Sequence, residues 1–282
     1  MPTTSSPRKR GSSVARGGAT RHVPRKRFGQ HFLVDRHYIE RIVGSLNPQP
    51  GDRIVEIGPG LGALTRPLLE RVGQLNVVEI DRDLAAKLTA EFAADRLSVR
   101  VADALTFDFA SLGSDLRIVG NLPYYISSPL LFHLADFGAH LRDITVMLQK
   151  EVIDRMVAKP STPDYGRLSV TLQVRFRIER LFNVPAGAFR PAPKVESAVA
   201  RLTPLRDQRP QLVDERLFGE LVAAAFGQRR KTMRNALRAL ANAEQLERAG
   251  ISPGARGEML SIADFVRLAN SLACEGRLQG SR

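Results

Sequence analysis

Cysteine is almost absent from this chain. Cys274 is the only one in 282 residues, which excludes an intramolecular disulfide and fits a reducing, cytoplasmic setting. Long apolar runs are missing too. No stretch approaches the ~18–20 residues that a membrane span requires, so no membrane partner is expected. Acid is missing from the first 27 residues, which carry Arg8, Lys9, Arg10, Arg16, Arg21, Arg25, Lys26 and Arg27. These cations supply much of the formal net charge of +13. They leave the rest of the chain only modestly basic, and the overall balance points to a polyanionic partner. Val14, Ala15, Ala19 and Val23 make no apolar stripe. Residues 1–27 therefore read as a disordered basic arm rather than an organelle transit peptide.

Beyond the arm, apolar periodicity organises the chain. Ile39, Ile42, Val43 and Leu46 follow helical spacing, closed by Asn47-Pro48-Gln49-Pro50-Gly51. Strands are expected at Arg53–Ile57, Leu75–Ile80, Ser98–Val101, Leu116–Val119 and Ile144–Leu148, with helices between them. Such alternation predicts an α/β fold: a Rossmann-like, doubly wound, mostly parallel sheet, whose ligands bind at the carboxyl ends of the strands. Val170, Leu172, Val174, Phe176 and Ile178 alternate with period two. They read as a strand that pairs with Ala198–Leu202 as one antiparallel pair. After Pro204 the pattern is helical, which divides the chain into a catalytic domain over 28–208 and a small α-helical domain over 209–282.

Polar residues collect at the predicted strand ends. Gly58, Gly60 and Gly62 leave the first strand, where glycine lets the backbone turn and approach a ligand. Glu79 ends the second strand, where a carboxylate can hold a ribose diol. Asp103 ends the third and can accept from an adenine amino group. Asn121-Leu122-Pro123-Tyr124-Tyr125 ends the fourth. That segment holds an amide, a stiffened backbone and aromatic faces, but no strong acid, base or nucleophile. The set suits a flat base bearing an amine, and the four strand ends together have the layout of an S-adenosylmethionine site. Gly58, Gly60 and Ala63 also satisfy a looser dinucleotide fingerprint, so an NAD-linked oxidoreductase competes on this loop alone. Such an enzyme needs an acid/base for hydride transfer, and none stands out among the five histidines.

In this order, the motifs resemble the ribosomal RNA adenine dimethyltransferase family. The likeness is carried by Gln30-His31-Phe32-Leu33, Glu56 to Gly62, Glu79-Ile80-Asp81, Asp103-Ala104, Asn121 to Tyr125, Phe189 to Ser197 and Phe226 to Thr232. It implies S-adenosylmethionine as cofactor, held by His31, Leu33, Gly58, Gly60, Glu79, Asp103 and Asn121. His31 departs from the asparagine frequent at that place. The resemblance further implies transfer of two methyl groups to each of two adjacent adenosines near the 3′ end of small-subunit rRNA. Asn121, Leu122, Pro123 and Tyr124 would be catalytic, with the base stacked on Tyr124 and Phe189. Tyr125 is expected to pack in the core. Arg229, Arg230, Lys231, Arg234 and Arg238 would form a basic stripe on a helix whose apolar side is Met233, Leu237 and Leu240, and would contact RNA backbone.

The expected partner is small-subunit rRNA or a precursor of the 30S subunit, bound by a monomer that needs no metal. A sister enzyme of the large subunit remains an alternative, although Leu122 and Tyr125 favour the small one. A non-catalytic assembly factor is disfavoured by the complete set at 58, 79, 103 and 121.

Overall fold

A computed structural model describes residues 31–228 and 230–280, with backbone alone for 276–280. The basic arm, Gln30 and Arg229 lie outside the described residues. The centre is a seven-stranded sheet. Five strands are parallel: β2 (Arg53–Ile57), β3 (Leu75–Glu79), β4 (Leu97–Val101), β5 (Leu116–Asn121) and β6 (Leu141–Gln149). β9 (Ser197–Pro204) runs antiparallel to β6, and β7 (Phe176–Val184) antiparallel to β9. The order is β4-β3-β2-β5-β6-β9-β7. It reverses between β2 and β5, and that switch point opens a crevice at their carboxyl ends. A separate antiparallel pair, β1 (Phe32–Leu33) with β8 (Phe189–Arg190), stands beside the crevice.

Strands buried on both faces read as nearly continuous apolar runs, and β5 illustrates why. Ile118 faces a core built with α4 (Ser127–Asp136) and α5 (Lys150–Val157). Its neighbour Val119 faces the opposite core, built with α1 (Arg36–Leu46), α2 (Thr65–Val72) and Leu88 of α3 (Arg82–Glu91). Gly120 follows because nothing larger fits. A Cβ there would come within 2.5 Å of the Ile57 carbonyl oxygen, so this glycine lets β5 pass the end of β2 where the crevice begins.

Residues 167–173 correct the sequence reading: they form helix α6 (Arg167–Gln173), and β7 starts only at Phe176. The alternation of Val170, Leu172 and Val174 is real, and its cause is a helix buried on two sides. Leu172 packs on the sheet core. Val170 and Val174 join a third core with Phe218 and Leu221 of α7 (Glu215–Gly227) and Phe265 and Leu268 of α10 (Ile262–Gly280). Two short helices, α8 (Met233–Ala236) and α9 (Ala243–Arg248), complete that layer. Tyr165, buried in the same core, donates its hydroxyl to the Leu260 carbonyl at 3.0 Å.

Opposite the crevice, Arg117 of β5 ties the amino ends of the strands together. Its guanidinium bonds Asp143 of β6 and Asp52 just before β2, each at 2.7 Å, and donates to the Leu46 carbonyl at the end of α1 at 2.6 Å. No helix among the described residues is long and apolar enough to cross a membrane.

Candidate functional site

The crevice holds a cavity of about 440 Å³, inside the range of small-molecule sites. Its floor is the turn after β2. Gly60 has φ of +58°, a left-handed value that other residues resist. A Cβ on it would also press to 3.1 Å from the Phe32 ring of β1, so β1 closes over the turn only because residue 60 lacks a side chain. α2 begins only at Thr65, so the glycines lie in the turn that precedes the helix.

Of the two predicted acids of the site, Glu79 is buried, which raises the energy of its charged form, whereas Asp103 is exposed. Glu79, at the end of β3, is 5 % exposed. Its Oε1 accepts from the Asp81 amide at 2.9 Å and its Oε2 from the Gly60 amide at 3.2 Å. Burial pushes this carboxyl up, and the two amides partly offset it. Each oxygen keeps a further lone pair for a hydroxyl donor. Asp103 lies two residues past the end of β4, in the turn rather than on the strand. Its Oδ1 accepts from the Leu105 amide at 2.9 Å, and the residue lines the cavity.

Glu56, the fourth residue of β2, was not singled out from sequence, yet it lines the same cavity. Thr65 Oγ1 donates to its Oε2 at 2.7 Å. Burial first, and then the nearby Glu79 charge, push the Glu56 carboxyl up to about 8. The signal was an acid inside an apolar strand immediately before a glycine turn.

Asn121 ends β5 with its amide oriented by a neighbour. Nδ2 donates to the His31 carbonyl at 3.0 Å, an oxygen that can only accept, so Oδ1 faces the other way as an acceptor. His31 is fixed in turn, because its Nδ1 donates to the Pro191 carbonyl at 2.8 Å. The Leu122 amide donates to Met147 of β6 at 3.1 Å. The Pro123 carbonyl is taken by the Ile126 amide and Ser127 Oγ, both at 3.2 Å. The Leu122 carbonyl accepts nothing among the described residues. Two acceptors, Asn121 Oδ1 and Leu122 O, are thus left at one strand end. The Tyr124 ring lies beside the His31 ring, with centroids 5.9 Å apart at 23°. Its hydroxyl bonds Ser197 Oγ at 2.7 Å, and burial pushes that hydroxyl up.

The structure brings His31, Leu33, Gly58, Gly60, Glu79, Asp103, Asn121, Leu122, Pro123 and Tyr124 around one cavity. It does not bring Phe189. That ring is 0 % exposed, because the β1–β8 register sets Phe189 opposite Leu33, with both side chains in the core near Val43 and Val184. The expected stacking face is therefore absent in this conformation. Tyr125 is corrected the other way: it is 58 % exposed and lines the cavity.

The basic stripe is also revised. α7 stops at Gly227, Arg230 and Lys231 lie in a turn, and Arg234 is on the four-residue α8. Arg230, Arg234 and Arg238 are exposed, while Met233 and Leu237 are buried as expected. A single continuous helix does not carry these charges.

Known proteins share both sequence and fold with this chain. A family model described as ribosomal RNA adenine dimethylase matches residues 21–274. The chain is similar to ribosomal RNA small subunit methyltransferase A of Aromatoleum aromaticum, 58% identical over 254 residues that cover 90% of this chain and 96% of that protein. The protein of the same name in Thiobacillus denitrificans is 57% identical, with coverage of 89% and 99%. Among solved structures, a dimethyladenosine transferase from Plasmodium falciparum shares the fold, with a TM-score of 0.75 at 24% identity over 89% of this chain and 98% of that one. The 23S rRNA methyltransferase ErmE superposes with a TM-score of 0.63 at 28% identity, covering 86% and 99%.

Proposed function

The chain belongs to the ribosomal RNA adenine dimethylase family, and from that membership we propose how its residues divide the work. The protein is an S-adenosylmethionine-dependent methyltransferase that dimethylates N6 of adenines in small-subunit rRNA. The cavity fits this cofactor. Glu79 keeps acceptors for a ribose diol, and Asp103 keeps Oδ2 for an adenine amine. The turn at Gly58 and Gly60, with His31 and Leu33, borders the remaining space for the methionine portion. When bound, the cofactor supplies an electrophilic methyl group on a sulfonium.

The residues of the chain need only hold the acceptor amine in place. The adenine exocyclic nitrogen is a weak nucleophile because its lone pair is delocalised into the ring. Asn121 Oδ1 and Leu122 O accept its two N–H bonds, which favours a pyramidal nitrogen with the lone pair directed outward. Tyr124 supplies a stacking face, worth ~1–3 kcal/mol per base. Positioning then provides most of the rate. No dedicated base is required, since the positively charged product amine loses its proton to water. Because the base must enter a cavity, the nucleotide leaves its stack first.

The single observation that carries this reading is the Asn121–His31 hydrogen bond, which leaves Oδ1 as an acceptor. Arg230, Lys231 and Arg234, within the helical region 209–282, hold RNA backbone. The enzyme acts as a cytoplasmic monomer on an assembling small subunit, with no metal. Labelled S-adenosylmethionine and undermethylated small or large subunits test the assignment. Label should map to two adjacent adenosines near the 3′ end of the small-subunit RNA and persist in the presence of a chelator. Label in large-subunit RNA alone would sink it.

A further inference from the structure

Side chains of a 3₁₀ turn point about 120° apart from one residue to the next, and the turn Tyr124–Ile126 sends its three in different directions. Ile126 packs on the sheet core. Tyr124 is held by Ser197 and His31. Tyr125 stands at the mouth of the cavity, and its hydroxyl meets no partner among the described residues. Partial burial, and then the Asp103 charge, push that hydroxyl up, and Asp103 lines the same cavity. The other large apolar side chains both exposed and lining this cavity are aliphatic: Val34, Leu61 and Ile80. A mostly exposed ring adds little to the core, so the fold gives no reason for an aromatic at 125.

We propose that Tyr125 is a stacking platform for the nucleobase adjacent to the one held in the pocket. The proposal deepens the reading above and rests on it. Extruding an adenine breaks its stack on the neighbouring base and leaves that base with a bare face. The pocket base is gripped by residues 121–124, so the next nucleotide must leave through the mouth, where residue 125 presents its ring. Aromatic stacking tolerates any base because every base has a π face. A platform of this kind accepts the neighbour before and after it has received its own methyl groups. Two adjacent substrate adenosines require that tolerance, and a hydrogen-bonding contact to the amine would not give it.

Tyr125→Ala, Tyr125→Leu and Tyr125→Phe test this in the full-length enzyme. Initial rates are measured on undermethylated small subunits, and S-adenosylmethionine binding is measured by calorimetry without RNA. The Ala and Leu variants should raise KM for subunits about five-fold or more, the scale of one lost base stack. They should also accumulate subunits modified at only one of the two adenosines. The Phe variant should behave as the parent, since the ring and not the hydroxyl does the stacking. Cofactor affinity and thermal midpoint should be unchanged in all three. An unchanged KM in both Ala and Leu variants overturns the proposal, and so does a loss that tracks cofactor affinity. Failure of the parent enzyme to methylate small subunits would instead overturn the pocket reading, and this proposal with it.

Discussion

The side chain of Asn121 and the backbone of His31 are joined by one hydrogen bond, Nδ2 to carbonyl oxygen at 3.0 Å, across ninety residues of chain. The bond selects one of the two orientations that the amide could take. Asparagine is therefore an acceptor toward the cavity because a backbone oxygen occupies its donor side. His31 is bound through its main chain here, which any residue could provide. Its ring lies beside Tyr124 and bonds Pro191, contacts that an asparagine would make differently.

Replacing Asn121 by alanine removes one of two acceptors for the amine. Methylation should fall about 100-fold or more, the scale seen when one preorganised polar group is deleted from an active site. RNA binding should persist. Single-turnover methylation and a filter-binding isotherm on the same preparation separate the two; near-parental turnover would remove Asn121 from the mechanism.

Tyr124→Phe keeps the stacking face and deletes only the bond to Ser197. The ring should lose its fixed angle, and kcat should drop by less than it does in Tyr124→Ala. Steady-state kinetics of the pair check this ordering. Equal losses would show that the hydroxyl, and not the ring, is what matters.

Glu56 makes stability depend on pH. Its folded carboxyl titrates near 8, above the ordinary 4.5, so between those values the folded state binds the extra proton. Stability contributed by the neutral acid is complete below about pH 4.5 and is lost as pH rises towards 8. Glu56→Gln, which cannot ionise, should flatten that decline and be more stable than the parent above pH 8. Thermal midpoints from pH 5 to 9 measure it. Parallel curves for the two proteins would mean that Glu56 is ionised throughout.

Arg117 links three elements at the end of the sheet remote from the cavity. Arg117→Met leaves Asp52 and Asp143 facing each other without their shared cation, and should cost about 3–5 kcal/mol. Urea denaturation gives the number. Asp52 also pairs with Arg142, so a cost under about 1 kcal/mol would mean that this second arginine takes over, as at an exposed pair.

The triple replacement of Arg230, Lys231 and Arg234 by alanine should weaken RNA binding at low salt and reduce its dependence on salt concentration. Each lost phosphate contact lowers the slope of log affinity against log salt by about 1. An unaltered slope would assign these charges to solvent.

Sequence periodicity located each of the five parallel strands: the inner ones because a strand buried on both faces is an apolar run whatever surrounds it, and the edge strand β4 because Leu97 to Val101 alternates apolar and polar residues. The glycines, Glu79, Asp103 and Asn121 were legible for a related reason: polar residues at strand ends have few structural uses. Other features were not. Val170 to Val174 imitated a strand, since burial on two faces of a helix can produce the same alternation. Phe189 and Tyr125 exchanged roles, because one residue of register in β8, and one step round a 3₁₀ turn, decide which ring is exposed. Arg117 lies within the apolar run of β5 and nothing beside it marks its partners, because Asp52 and Asp143 are distant in sequence.

Helix α6 contributes Leu172 to the sheet core and Val170 and Val174 to the core of the C-terminal helices. Melting either layer exposes part of the other, so the two halves should unfold in a single cooperative transition. A chain cut at residue 208 would keep every strand of the sheet and still present Val170, Val174 and Tyr165 to water, making it a sticky fragment rather than a minimal enzyme.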